Sequence, residues 1–121
     1  MLKRYLCAIA AAAVALPAFA QDAFVIGLTG ALTGPPASTN GPAVDGLRLY
    51  VERLNAAGGI KGKKINLIVL DDSAEPSKAA ANAKRLLTQE NVVLIINSSL
   101  SSTFAPTVAE VNSRSSALMR P

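Results

Sequence analysis

A three-layer α/β fold built on a parallel sheet is what this sequence predicts, and three observations carry the prediction. Three short apolar runs, Phe24 to Thr29, Ile65 to Leu70 and Val92 to Ile96, each precede a segment whose apolar residues recur at steps of three and four. Glycine or proline marks most of the junctions between them. The connections are long enough to return the chain to the same end of the sheet, so the strands run parallel with right-handed crossovers.

Phe24 to Thr29 reads as a buried strand, and Gly30 to Gly41, rich in Gly, Pro, Thr and Ser, reads as a loop. Strand-to-helix loops commonly take about 2 to 6 residues, so one of this length points to function. Gly41-Pro42 suits a helix start, because a proline at the first helical position gives up an N–H that has no partner there. Val44, Leu47, Val51 and Leu54 then share one helical face, which Gly58-Gly59 terminates. Ile65 to Leu70 is nearly continuously apolar, as a strand covered on both faces is, and Asp71-Asp72 closes it. Pro76 opens a second helix with Ala79, Ala80, Ala83, Leu86 and Leu87 as its apolar stripe. After the third strand, Asn97 to Thr103 forms a polar turn. A third helix starts near Ser101 to Thr103, since Pro106 fits only a first turn, and carries Phe104, Val108 and Val111 on one side.

The first twenty residues are of a different kind. Lys3 and Arg4, an apolar run from Tyr5 to Leu16 and the small-residue pattern Ala18-Phe19-Ala20 read as a cleavable signal peptide, Met1 to Ala20. The run is about 12 residues, short of the roughly 20 that a spanning helix needs. The 50% hydrophobic content is inflated by this leader. Without Lys3 and Arg4, ten Lys and Arg face eight Asp and Glu, which is no nucleic-acid-binding balance. The remaining residues, 21–121, suffice for one small domain, and no second domain fits.

Two absences narrow the chemistry. The sequence has no histidine, and its one cysteine, Cys7, lies in the leader. Ser-His-Asp and Cys-His nucleophilic sites, His or Cys zinc sites and disulfides are thereby excluded from residues 21–121. No cofactor is expected: Gly27, Gly30 and Gly34 lack the dinucleotide spacing, and Gly58 to Lys64 lacks both the spacing and the strand-then-helix order of a phosphate loop. Asp71-Asp72 has the chemistry for a metal ligand or an acid–base pair, but without further carboxylates nearby the structural reading is the stronger: they polarise a turn and favour the helix after Pro76.

Ligands of parallel α/β sheets gather outside the carboxyl ends of the strands, here the loops after Thr29, Leu70 and Ile96. Asn97 to Thr103 places five hydroxyls at or just before a helix N-terminus, where free amides and a partial positive charge hold a carboxylate without arginine. Ser101 and Ser102 are the candidates for direct contact. Ordinary N-capping explains one such hydroxyl equally well, and the residues alone leave both readings open. Thr29, Thr33 and Ser38 offer further hydroxyls from the first loop.

The stretches Ile26-Gly27-Leu28-Thr29-Gly30-Ala31-Leu32-Thr33-Gly34-Pro35, Leu54-Asn55-Ala56-Ala57-Gly58-Gly59-Ile60 with Gly62-Lys63, and Asp71-Asp72 with Pro76 and Ala79-Ala80 together resemble the type I periplasmic solute-binding proteins of ABC transporters for leucine, isoleucine and valine. The resemblance runs from about Phe24 to about Val111. It implies a periplasmic, two-lobed protein about three times longer than residues 21–121, closing over a small solute and delivering it to a transporter permease. No covalent chemistry is implied. The family's ligand-contacting serine matches Ser101, with Thr103 beside it as a secondary candidate.

Departures from the pattern are informative. The first-loop tyrosine of many relatives is replaced here by Ser38-Thr39-Asn40, which leaves Asn40 as the polar candidate from that segment. A disulfide present in some relatives would fall at Ala74 and Leu100. Asn112 to Pro121 stands where the resemblance implies a fourth apolar strand, so the expectation is a truncated first lobe, a fragment end or a shifted frame. The solute expected is a branched-chain or other hydrophobic amino acid or amide. A binding protein for aromatic acids, a ligand-sensing receptor domain of the same fold and an enzyme using Asp71 or Asp72 are the alternatives.

Overall fold

The computed structural model describes residues 23–118. The signal peptide expected over residues 1–20 and the last three residues lie outside them. The elements alternate as expected: β1 (Phe24–Gly30), α1 (Ala37–Ala56), β2 (Ile65–Asp71), α2 (Pro76–Thr88), β3 (Leu94–Ser98), a single 3-10 turn (Ser101–Thr103) and α3 (Phe104–Leu118). The three strands form one parallel sheet in the order β2-β1-β3, so the chain leaves β1 on one side and crosses back to the other. None of the described helices is long and apolar enough to cross a membrane.

The core forms where α2 lies on the central strand. Ala79, Ala83 and Leu86 are buried there, while Leu28, buried too, points to the opposite face of the sheet from Gly27 and Thr29. Gly27 permits the approach, because a Cβ at this position would stand 2.7 Å from both terminal methyls of Leu86. Val44 and Val51 of α1 are buried as their spacing predicts, with Leu47 and Leu54 half-buried. α2 and α3 pack on each other, while α1 meets the sheet through β2.

The glycines after α1 have a definite task. Gly58 and Gly59 take φ of +107° and +79°, which lets the Gly59 amide reach the Leu54 carbonyl at 2.8 Å and close the helix. Asn55 then ties this end to β2, its Nδ2 donating to the Ile65 carbonyl and its Oδ1 accepting from the Ile65 amide, both at 2.8 Å. A Cβ on Gly59 would fall 2.0 Å from the Lys63 carbonyl oxygen, so Gly59→Ala is expected to lose about 1–3 kcal/mol in urea denaturation.

Four expectations are corrected. The first loop is short: α1 begins at Ala37, after Pro36, and Pro42 lies inside the helix. Pro35 and Pro36 sit before the first turn, where the Pro36 carbonyl accepts from the Thr39 and Asn40 amides at 3.1 and 3.0 Å. The six residues between β1 and α1 are an ordinary length, so the argument from a long loop fails. β3 is shifted to Leu94–Ser98, because the Val92 amide is spent on the Leu86 carbonyl at the end of α2. Phe104 and Val108 are exposed, since Thr103 and Thr107 occupy the inward side of α3 and each apolar neighbour lies one residue further round.

Candidate functional site

The sheet register places Gly30, Asp71 and Ser98 side by side at its carboxyl edge. The Gly30 carbonyl accepts from the Asp72 amide at 2.9 Å, and the Ser98 carbonyl from the Ala31 amide at 3.2 Å. A Cβ on Gly30 would stand 2.8 Å from that Ser98 oxygen, so only glycine allows the three ends to close up.

Two adjacent carboxylates organise the loops that follow. Asp72 is fully buried, and its side chain accepts from the Thr29 hydroxyl (2.8 Å), the Ala74 amide (2.8 Å) and the Ser99 hydroxyl (2.7 Å). Thr29 in turn accepts from Asn82 Nδ2 of α2 at 3.1 Å. No ion pair among the described residues involves Asp72; neutral donors alone offset the cost of burying its charge. The structural role expected for both aspartates is present, but it does not lie at the start of α2. That helix is instead led by Glu75, without a side-chain cap, and the aspartates bind across to the first and third loops.

Asp71 binds the first loop. Its Oδ1 accepts from the Leu32, Thr33 and Ser73 amides at 2.9, 3.3 and 2.9 Å, and its Oδ2 from the Thr33 hydroxyl at 2.5 Å. Burial pushes its carboxyl up, but the hydrogen bonds from Thr33, the Ser73 and Leu32 amides and the Ser73 hydroxyl outweigh this and hold it down at about 2. Because the folded value lies below the ordinary 3.8, the ionised group stabilises the fold above that pH, and the contribution disappears as pH falls from 3.8 through about 2. Asp71→Asn is therefore expected to be less stable than the parent protein at pH 6, by about 1 kcal/mol for this half-buried group, with the gap closing as pH falls below 3.8 toward 2.

The hydroxyl cluster after β3 divides into an inner and an outer set. Thr103 is buried, its hydroxyl donating to the Leu100 carbonyl at 2.7 Å and accepting from Asn97 Nδ2 at 3.1 Å. Asn97 Nδ2 also reaches the Thr107 hydroxyl at 2.9 Å. Ser101 and Ser102 are exposed. They begin a helical run that continues unbroken from the 3-10 turn into α3, and its first amides have no intrahelical acceptors. Such a terminus, at the carboxyl end of the sheet, attracts an anionic group.

The other candidates lie elsewhere. Thr33 is exposed but engaged with Asp71 and Ser73, on the β2 side of the edge. Asn40 is half-buried in the first turn of α1. The sequence reading missed Asp72 and Ser99 as the link between first and third loops, since partners 43 and 27 residues apart leave no periodic signal. A cavity of about 370 Å³ lies between α2 and α3, lined by Lys84, Leu87, Glu110 and Arg114 among others, with none of the strand-end residues on its wall.

A parallel lobe whose strand ends present hydroxyls and helix amides, with no histidine or cysteine in residues 21–121, has the makings of a noncovalent solute-binding surface. The chain belongs to the periplasmic binding protein family, which matches residues 24–115. This is a family of solute-binding proteins, not enzymes. Over 82 residues the chain is 40% identical to an amino acid binding protein of Pseudomonas aeruginosa, covering 68% of this chain and 22% of that one. It is 30% identical over 105 residues to the leucine-, isoleucine-, valine-, threonine- and alanine-binding protein of the same organism, covering 87% and 28%. Its fold matches the branched-chain amino acid transporter substrate binding protein of Streptococcus pneumoniae, solved with isoleucine, at a TM-score of 0.71 and 32% identity, over 76% of this chain and 26% of that one. The chain thus spans about a quarter of the length of these relatives.

Proposed function

We propose that residues 21–121 form part of the first lobe of a periplasmic substrate-binding component of an ABC transporter, that the solute is a branched-chain or other hydrophobic amino acid, and that Ser101 and Ser102 hold its carboxylate. The observation that carries this reading is the exposure of both serines at the start of a helical run, at the carboxyl edge of the sheet. The relatives' names supply the solute class. In this reading residues 1–20 direct export, a second lobe encloses the solute and a membrane permease receives it. Thr103 and Thr33 hold their loops in shape. The receptor and aromatic-acid alternatives draw no support from these relatives.

The test is calorimetric titration of the native protein with leucine. Ser101→Ala is expected to raise Kd about tenfold, the loss of one hydrogen bond to a charged group, with the melting temperature of the unliganded protein unchanged. An unaltered Kd would refute the assignment. An intact mass of the native periplasmic protein well above the 12.4 kDa of the 121-residue chain supports the two-lobed reading, and a mass at or below it refutes that reading.

A further inference from the structure

Ser99 lies two residues before Ser101 in the chain, and it is the member of the third loop whose side chain is tied to another strand's end. Its hydroxyl donates to Asp72 Oδ1 at 2.7 Å, and the same carboxylate accepts the Thr29 hydroxyl at 2.8 Å through Oδ2. The Asp72 amide donates to the Gly30 carbonyl at 2.9 Å. One fully buried side chain thus spans the ends of β1 and β2 and the turn after β3.

From this geometry we infer that Asp72 is a positioning residue for solute binding, which acts through the Ser99 hydroxyl to fix the turn presenting Ser101 and Ser102. The inference rests on the reading of those two serines as the carboxylate site. Being fully buried, Asp72 does not touch the solute; it sets where the first amides of the α3 run point. The turn needs such an anchor. Leu100 and Ser101 are exposed, and on its far side the bonds that hold the turn are those of Thr103, whose hydroxyl donates to the Leu100 carbonyl and whose own carbonyl accepts from Asn97 of β3. Without the Ser99 bond the segment from Ser99 to Ser102 gains freedom that solute binding must then remove, and affinity falls while the fold persists.

Direct replacement of Asp72 risks unfolding, so the test uses Ser99→Ala, which removes one hydroxyl and leaves the carboxylate with two donors. Leucine Kd and unliganded melting temperature are measured for the parent protein, Ser99→Ala, Ser101→Ala and the double variant. The expected result is a Kd raised about five- to tenfold by Ser99→Ala, with little further change when it is added to Ser101→Ala, because both act through one contact. A merely structural Ser99 would lower the melting temperature and leave Kd unchanged, which overturns the inference and spares the site. Independent, multiplying effects also overturn it. A Ser101→Ala variant with parental Kd overturns the site reading itself.

Discussion

Asp72→Ala is expected to cost about 3–5 kcal/mol of unfolding free energy, the largest effect of any single polar substitution in the described residues. The carboxylate accepts from two hydroxyls and one amide, and truncation strands all three, that of Thr29 fully buried and those of Ala74 and Ser99 partly so. Each unsatisfied buried donor costs about 1–3 kcal/mol, and the hydroxyls recover part of this by rotating toward other acceptors. Ala74 adds to the loss. It holds φ of +63°, a left-handed conformation that its amide bond to Asp72 helps maintain. Asp72→Asn keeps one acceptor oxygen but removes the charge and sets an NH2 donor in place of the other, so its expected loss is about half as large, with one donor of the three left to turn elsewhere. Urea denaturation of both variants checks this order. Equal losses would mean that the charge itself, and not the count of satisfied donors, sets the energy.

Leu86→Ala is expected to destabilise by about 3–5 kcal/mol. Leu86 is completely buried and its methyls occupy the space that Gly27 leaves open on the central strand. Neither side can collapse into the void: Gly27 has no side chain to move, and the flanking Ala79 and Ala83, both fully buried, are too short to fill it. A compensating pair follows from the same geometry. Gly27→Ala alone forces a methyl to within 2.7 Å of Leu86 and destabilises, whereas combined with Leu86→Ala it fills part of the cavity and recovers some of the loss. Thermal melting of the two single variants and the double variant measures that coupling, and simple additivity would contradict the packing described.

Local features of the sequence were enough for the order of elements and for the buried stripe of α2, because strand and helix periods differ and Pro76 and Gly58-Gly59 mark boundaries by backbone chemistry. Boundaries set by tertiary contact were not legible. Pro42 looked like a first helical residue, yet the turn from Gly34 to Ala37 and the Pro36 carbonyl start α1 earlier. Asn97 and Ser98 looked like loop because they are polar, yet their partners Thr29 and Gly30 draw them into the sheet. The inward side of early α3 is built from Thr103 and Thr107 satisfied by Asn97, so a search for apolar spacing selects the exposed Phe104 and Val108 instead. The hydroxyl cluster itself was visible as composition. Its division into an inner set and an exposed pair is a property of the fold alone.

If the exposed start of the α3 run holds a solute carboxylate, competition between leucine and leucinamide for the native protein will reveal it. The two differ in the group said to lie at Ser101 and Ser102, and a helix terminus favours the charged one. Leucine is expected to bind at least about tenfold tighter, with the preference reduced in Ser101→Ala. Equal affinity for acid and amide, or a preference untouched by that substitution, would contradict it.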